Sequence, residues 1–380
     1  MDLFENPAGS RTTLIENRKL MICRFPADTI KTMYSLFSYI RPVFYLLIIT
    51  ALIGVPIRGE AQSIAVVPGE SSAQTTAERS GRELPPVFPA LYFTDYFSAY
   101  RTGEAAKPYG AASEAARGKS PLRNASFLLN NDILAFYGSP LSRNMGILGR
   151  YTKEELSALL DSLAEEYKAV NGGRGLIKAF YIIYGTVWPE GEIGILKQSI
   201  LEDYIRFALE RNILVFIDHQ IGRYDPVESL KTMLPYLQYP NVHLALDPEW
   251  RTTKPMQDIG AVSAAEINQA QQVMEDYIRE HQLGERMLVI HQFNWRMIGQ
   301  RENVRSGSSL VRLVHCADGF GPPDLKRRSY AYNALARNIP IKAFKLFYNF
   351  NIPGAGYDDP LLTPKEVMEL DPRPYIIMYQ

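Results

Sequence analysis

The sequence predicts an α/β protein: a parallel (β/α)8, TIM-like barrel over 124–380, lacking its eighth helix and preceded by a tether and a signal or anchor segment. Three observations predict it. From Asn131 onward, short apolar strand-like runs alternate with amphipathic helix-like segments, as in a sheet whose parallel strands are joined by helical crossovers. Links from helix to strand are short (211–212, 239–241, 338–340), whereas links from strand to helix are long (138–151, 185–196, 250–262, 349–362). The apolar runs also stop on ionisable side chains, which gathers chemistry at the carboxyl ends of the strands, where barrels keep their active sites.

In chain order, strands are expected at 132–137, 176–184, 213–218, 242–247, 286–291, 311–317, 341–348 and 374–379. Helices are expected near 153–170, 197–211, 226–238, 264–281, 295–303, 323–337 and 364–370. Thr152/Glu155, Ser263/Glu266 and Thr363/Glu366 have the spacing of capping boxes, in which each side chain bonds the other residue's backbone N–H. Asp225-Pro226 and Thr363-Pro364 put proline at a first helical position, where its missing N–H costs nothing. No helical segment follows the eighth strand candidate. The aromatic stretch 84–100 (Phe88, Tyr92, Phe93, Tyr96, Phe97, Tyr100) is the candidate to cover that gap.

Alternation along each strand indicates which side chains face inward. Asp218 shares parity with Phe216, Asp247 with Ala245 and His243, His291 with Val289, Asp318 with Cys316, and Lys345 with Ala343. The rim of the barrel should therefore hold these five, with Glu249 two residues beyond Asp247. Paired carboxylates across such a rim suit glycosidic cleavage, one protonated and donating to the leaving oxygen, the other a nucleophile or a base for water. Glu249 is the expected acid, with Asp218 or Asp318 as its partner. Asp247, His291, Lys345, Tyr348, His219 and Gln220 are expected to contact substrate. Trp188, Trp250 and Trp295 follow the second, fourth and fifth strands, and flat aromatic faces suit the C–H surface of a sugar. Each of these has a structural alternative: capping a loop, pairing with lysine, or plugging the barrel mouth.

Other chemistries find less in the chain. No His-x-His lies on the first strand and no HExxH occurs, so metal hydrolysis rests only on the Asp/His/Glu/Asp set, and no metal or other cofactor is expected. Lys345 is surrounded by acids, which favours an ion pair over a Schiff base. Gly319-Phe320-Gly321-Pro322-Pro323 reads as a tight turn, and no Gly-x-Ser-x-Gly elbow is present. The formal net charge of zero gives no global field for nucleic acid. Two cysteines, Cys23 and Cys316, form neither a zinc spacing nor a disulfide framework.

The amino-terminal third carries different signals. Val43–Ile57 is apolar, preceded by Arg41, and shorter than the roughly 20 residues of a comfortable membrane span. Gly59-Glu60-Ala61 offers a small-x-small cleavage site, so 1–61 reads as a signal peptide with a long leading region, or as a retained anchor that would tether the protein to the membrane. A buried core helix is the alternative. Residues 62–123 read as a flexible linker, rich in Ser, Ala, Thr, Glu and Gly over 62–83. The expected location is outside the cytoplasmic membrane, released or tethered.

The segments FYGSPLSRNMGILG (136–149), FIDHQIGR (216–223), HLALDPEW (243–250), VIHQF (289–293), DGFGPPDLKR (318–327), FKLFY (344–348) and PRPYIIMYQ (372–380) resemble an uncharacterised family of exported bacterial proteins, often labelled hypothetical or lipoprotein. That family is similar in architecture to the glycoside hydrolase barrel superfamily. The resemblance spans 131–380 and implies an exported barrel, without bringing a substrate or assigned catalytic residues. The chain departs from lipoprotein members in having no cysteine after its apolar run. Three functions are therefore carried forward: an exported hydrolase of a glycan or envelope carbohydrate, a non-catalytic carbohydrate-binding barrel, and a metal-dependent phosphoesterase. Fold alone does not choose among them.

Overall fold

The computed structural model describes residues 4–5, 128 and 130–380. The expectations placed on 1–61 and 62–123, including Val43–Ile57 and the aromatic stretch 84–100, lie outside the described residues apart from Phe4–Glu5. Among the described residues no helix is long and apolar enough to cross a membrane.

The strands, in order, are β1 (Phe4–Glu5), β2 (Asn131–Gly138), β3 (Gly175–Val187), β4 (Ile193–Leu196), β5 (Leu214–His219), β6 (Val242–Leu246), β7 (Val262–Ser263), β8 (Arg286–Gln292), β9 (Ile298–Gly299), β10 (Val311–Ala317), β11 (Ile341–Leu346) and β12 (Ile376–Tyr379). Eight of them, β2-β3-β5-β6-β8-β10-β11-β12, pair in parallel, and β12 returns to β2, so the sheet closes into a barrel. The α-helices are α1 (Lys153–Lys168), α2 (Gln198–Glu210), α3 (Pro226–Met233), α4 (Ala264–Glu280), α5 (Pro323–Ala334) and α6 (Pro364–Met368). The expected capping boxes form at Thr152, Ser263 and Thr363, and the Asp225 side chain accepts from the first-turn N–H groups of α3.

Alternation sorts the apolar side chains into two cores. Ile133, Ala135, Ala179, Phe216, Ala245, Val289, Cys316, Ala343 and Met378 fill the barrel interior. Leu134, Phe136, Phe180, Ile217, Leu244, Ile290, Phe344 and Ile377 face outward under the helices, against Leu156, Leu160, Ile205, Leu230 and Met274. Each such side chain, taken fully from water, contributes about 1.5–3 kcal/mol before its entropy cost. At the amino-terminal end of the barrel Asp132 is held by Arg174 at 2.9 Å and by Arg373, which closes that end with a buried ion pair.

Two expectations change in detail. The second strand-to-helix link is not an open loop: β3 runs on to Val187 and folds back antiparallel through β4. The helix expected at 295–303 is replaced by a one-turn 3-10 segment Trp295–Met297, the short strand β9, and a second 3-10 turn Arg301–Asn303. Gly299 and the left-handed Gln300 (φ 54°) interrupt the helix, and β9 pairs with β7 instead. The ring of helices is therefore open between β8 and β10.

Candidate active site

The inward parity of the strand ends brings their ionisable groups together. Lys345, the last inward residue of β11, places its ammonium 2.9 Å from Asp318 Oδ1. His291, at the end of β8, approaches the other oxygen of Asp318 through Nδ1 at 3.2 Å. All three are buried. Asp247 directly follows β6, donates its N–H to His219 O, and turns the chain through Pro248 so that the Glu249 N–H meets Asp247 Oδ1 at 3.3 Å. That one-turn 3-10 segment aims the half-buried Glu249 back over the barrel mouth. Oxygens of Asp247, Glu249 and Asp318 lie within 4.8 Å of one another.

Below them the site is floored by residues that sequence reasoning passed over. Tyr137, inward on β2 with Ile133 and Ala135, donates its hydroxyl to Asp218 Oδ2 at 2.8 Å. Tyr181, inward on β3, meets His291 Nε2 at 2.7 Å and stacks on Phe216 with ring centroids 5.1 Å apart. The Lys345 ammonium sits 3.7 Å from the centre of the Tyr137 ring, so the cation is held by a carboxylate and a π face together. Cys316 lies beside His291 in register, fully buried. The parity that selected Asp218 and His291 could also have found both tyrosines, as polar-tipped residues in otherwise small, apolar inward rows.

Burial alone would raise Asp318, but the charges and hydrogen bonds of Lys345 and His291 outweigh it and hold the carboxyl below the usual range. Reciprocally, against burial, Cys316 and Asp318 raise His291 well above an ordinary imidazole, and Asp318 and Asp247 raise Lys345. His291 thus sits between two polar partners, with Nδ1 3.2 Å from Asp318 Oδ2 and Nε2 2.7 Å from the Tyr181 hydroxyl. The remaining acids move the other way. Burial, followed by the charges of Asp247 and Asp318, pushes Glu249 well above the carboxylate range. Burial outweighs the lowering by His291 and, with Asp318 and Asp218, brings Asp247 to about 7. Burial also raises Asp218 against the pull of His291, Tyr137 and Lys345. Two populations of carboxyl result: Asp318, held low by its cations, and Glu249, Asp247 and Asp218, raised by burial.

Four expected contact residues stand apart from this cluster. His219 points outward: its Nδ1 accepts the Ile221 N–H at 2.9 Å, its ring lies against Gly185, and burial lowers it to about 3. Gln220 accepts the Val187 N–H at 2.8 Å. Together these two tie β5 to the β3–β4 hairpin, so they are wall residues rather than rim residues. Tyr348 lies outside the barrel, stacked on Tyr379 at 5.3 Å and packed against Phe350. Trp295 also lies on the outer wall, because the path after β8 turns down the side of the barrel in place of a helix. Trp188 is 48% exposed on the hairpin, with its indole laid across Gly194. Trp250 is half-buried beside Glu249.

A divalent ion could be reached by the oxygens of Asp247, Glu249 and Asp318. Lys345 and His291 already supply positive charge to Asp318, however, at 2.9 and 3.2 Å. The set is therefore better matched to acid–base chemistry than to a cation cage.

No protein-family model matches the chain, and no curated protein matches it. Among solved structures, a family 18 chitinase from Crocus vernus is similar. It is 10% identical with a TM-score of 0.35, covering 65% of this chain and 92% of that one. The barrel assignment stands on the strand pairing itself, and chitinase activity is a property of that protein.

Proposed function

We propose that the barrel is a glycan hydrolase with Glu249 as its proton donor. The observation that carries the reading is geometric: oxygens of Asp247, Glu249 and Asp318 meet within 4.8 Å at the barrel mouth, where burial raises Glu249 while Lys345 and His291 hold Asp318 low. Pairs of acids driven apart by their surroundings divide acid and base roles in this way.

In the proposed reaction Glu249 gives its proton to the glycosidic oxygen as the C–O bond breaks, and the bonding pair leaves with that oxygen. Positive charge develops at the sugar carbon beside ionised Asp318, which stabilises or captures it. Water then adds to the same carbon and returns a proton to Glu249. Asp247, hydrogen-bonded to the Glu249 backbone and itself near pKa 7, tunes the proton on Glu249 through its charge. Asp218, fully buried and hydrogen-bonded by Tyr137, acts through the field and not by contact. Export through Val43–Ile57 belongs to the same proposal and is checked by amino-terminal sequencing of the protein recovered outside the cytoplasm.

The deciding experiment is turnover on a broad panel of glycans by wild type and Glu249→Gln, with the first-formed anomer followed by NMR. Cleavage by wild type that collapses in the variant supports the reading. Binding by both proteins with turnover by neither would make this a sugar-binding barrel. Turnover that persists in Glu249→Gln would move the acid elsewhere.

A further inference from the structure

The opening in the helix ring between β8 and β10 leaves a groove of about 430 Å3 on the outer wall, bordered by Trp295, Arg296, Arg301, Tyr332, Leu335 and Asn338. Its apolar groups are unusually bare, with Trp295 60% and Leu335 71% exposed. Its cations are short of counter-charge. The Arg296 guanidinium lies 5.1 Å from the Trp295 ring centre, and Arg301 lies 4.2 Å from that of Tyr332. Arg301 donates only to neutral acceptors, Gln292 Oε1 at 3.0 Å and Tyr332 O at 3.2 Å. Behind it Lys342, 1% exposed in total, donates to the carbonyls of Asn333 and Ala336 at 2.8 and 2.9 Å. Among the described residues none of these three cations forms an ion pair with a carboxylate. Glu302 is the one acid among the described lining residues.

We propose that this groove is a second, non-catalytic binding site for a carboxylate-bearing saccharide, whose carboxylate meets Arg296 and Arg301 while a sugar ring lies on Trp295. A guanidinium fork matches a carboxylate in two parallel hydrogen bonds, and the indole offers the flat face that sugar C–H groups prefer. Burial and the Arg301 charge bring the Lys342 amine down to about 8, so an arriving anion relieves a repulsion already built into the wall. The choice of a saccharide rests on the glycan reading of the barrel mouth, whereas the choice of an anion rests on the groove alone. A site here would hold an acidic polymer to the side of the barrel while the mouth works on it.

The test is calorimetric titration of the full chain with an oligogalacturonate, an uncharged oligosaccharide of equal length, and a polyglutamate peptide of equal charge. Trp295→Ala, Arg296→Ala and Glu249→Gln are titrated beside the wild type, with circular dichroism to verify folding. The expected result is binding of the oligogalacturonate that weakens with added salt. Trp295→Ala and Arg296→Ala should each weaken it about 10-fold, while Glu249→Gln binds as wild type does. No binding of the oligogalacturonate, wild-type affinity in both groove variants, or tighter binding of the neutral sugar or the peptide would each overturn the proposal. Groove binding without any glycan turnover would remove the reading of the mouth and leave the groove standing.

Discussion

The Lys345 ammonium is 2.9 Å from Asp318 Oδ1 and 3.7 Å from the centre of the Tyr137 ring, with less than a twentieth of either charged side chain open to water. That pair, with His291 on the other Asp318 oxygen, holds Asp318 low, while burial raises Glu249, Asp247 and Asp218 around it.

Breaking the pair from one side should therefore be costly. Lys345→Met leaves buried Asp318 with His291 alone and should lower stability by about 3–5 kcal/mol in urea denaturation at pH 7. Adding Asp318→Leu should restore part of the loss, because the stranded charge goes with it. A double variant as unstable as the sum of its two single variants would show the two residues to be uncoupled.

Glu249→Gln keeps the shape of the donor and removes its proton. Turnover should fall roughly 100- to 10,000-fold with glycan affinity little changed. A fall in affinity with kcat intact would make Glu249 a binding residue.

Asp247 sets a pH dependence of stability with a definite sign. Its folded pKa, about 7, lies above the unfolded value near 3.9, so the folded state holds the proton more tightly. This contribution is fully present below the unfolded value and is lost as pH rises through about 7. Asp247→Asn still accepts the Glu249 N–H and should flatten the decline between about pH 4 and 7, so that it is more stable than wild type at about pH 8. Denaturation midpoints across that range measure it, and an unchanged slope would assign the proton uptake to another acid.

Tyr137→Phe removes the only hydrogen bond drawn to Asp218 among the described residues, whose Oδ1 already has no partner. Asp218 should then titrate still higher, and stability should drop by about 1–3 kcal/mol. Carboxyl-carbon NMR of Asp218 reads the first effect directly, and a downward shift would contradict it.

Lys326 fastens the two loops that carry the central pair. Its ammonium donates to the carbonyls of Gly319 and Lys345 and lies 3.3 Å from Asp358, which in turn accepts from Gly321 and Phe347. Lys326→Met should destabilise the fold by about 3–5 kcal/mol and loosen hydrogen-exchange protection at Gly321 and Phe347. Protection unchanged at both amides would show the loops to be held by packing alone.

The sequence by itself determined the barrel, the end of it that carries ionisable groups, and the facing of Asp218, Asp247, His291, Asp318 and Lys345. Strand alternation and loop length are local signals, and a one-residue error in facing would have put charges among Ile217, Leu244 and Ile290. The same alternation extends to Tyr137 and Tyr181, which sequence reasoning passed over, because nothing local marks a tyrosine as the partner of an aspartate 81 residues away. Tertiary structure alone decided who pairs with whom: that Lys345 and His291 share Asp318, and that His219 and Gln220, one and two residues past Asp218, turn out to brace the hairpin. It also decided that Trp295 faces the outer wall, because Gly299 and left-handed Gln300 break the expected helix. Pairing depends on the closure of the sheet, which brings β2, β3, β8, β10 and β11 side by side around one axis, and no local pattern encodes that distance.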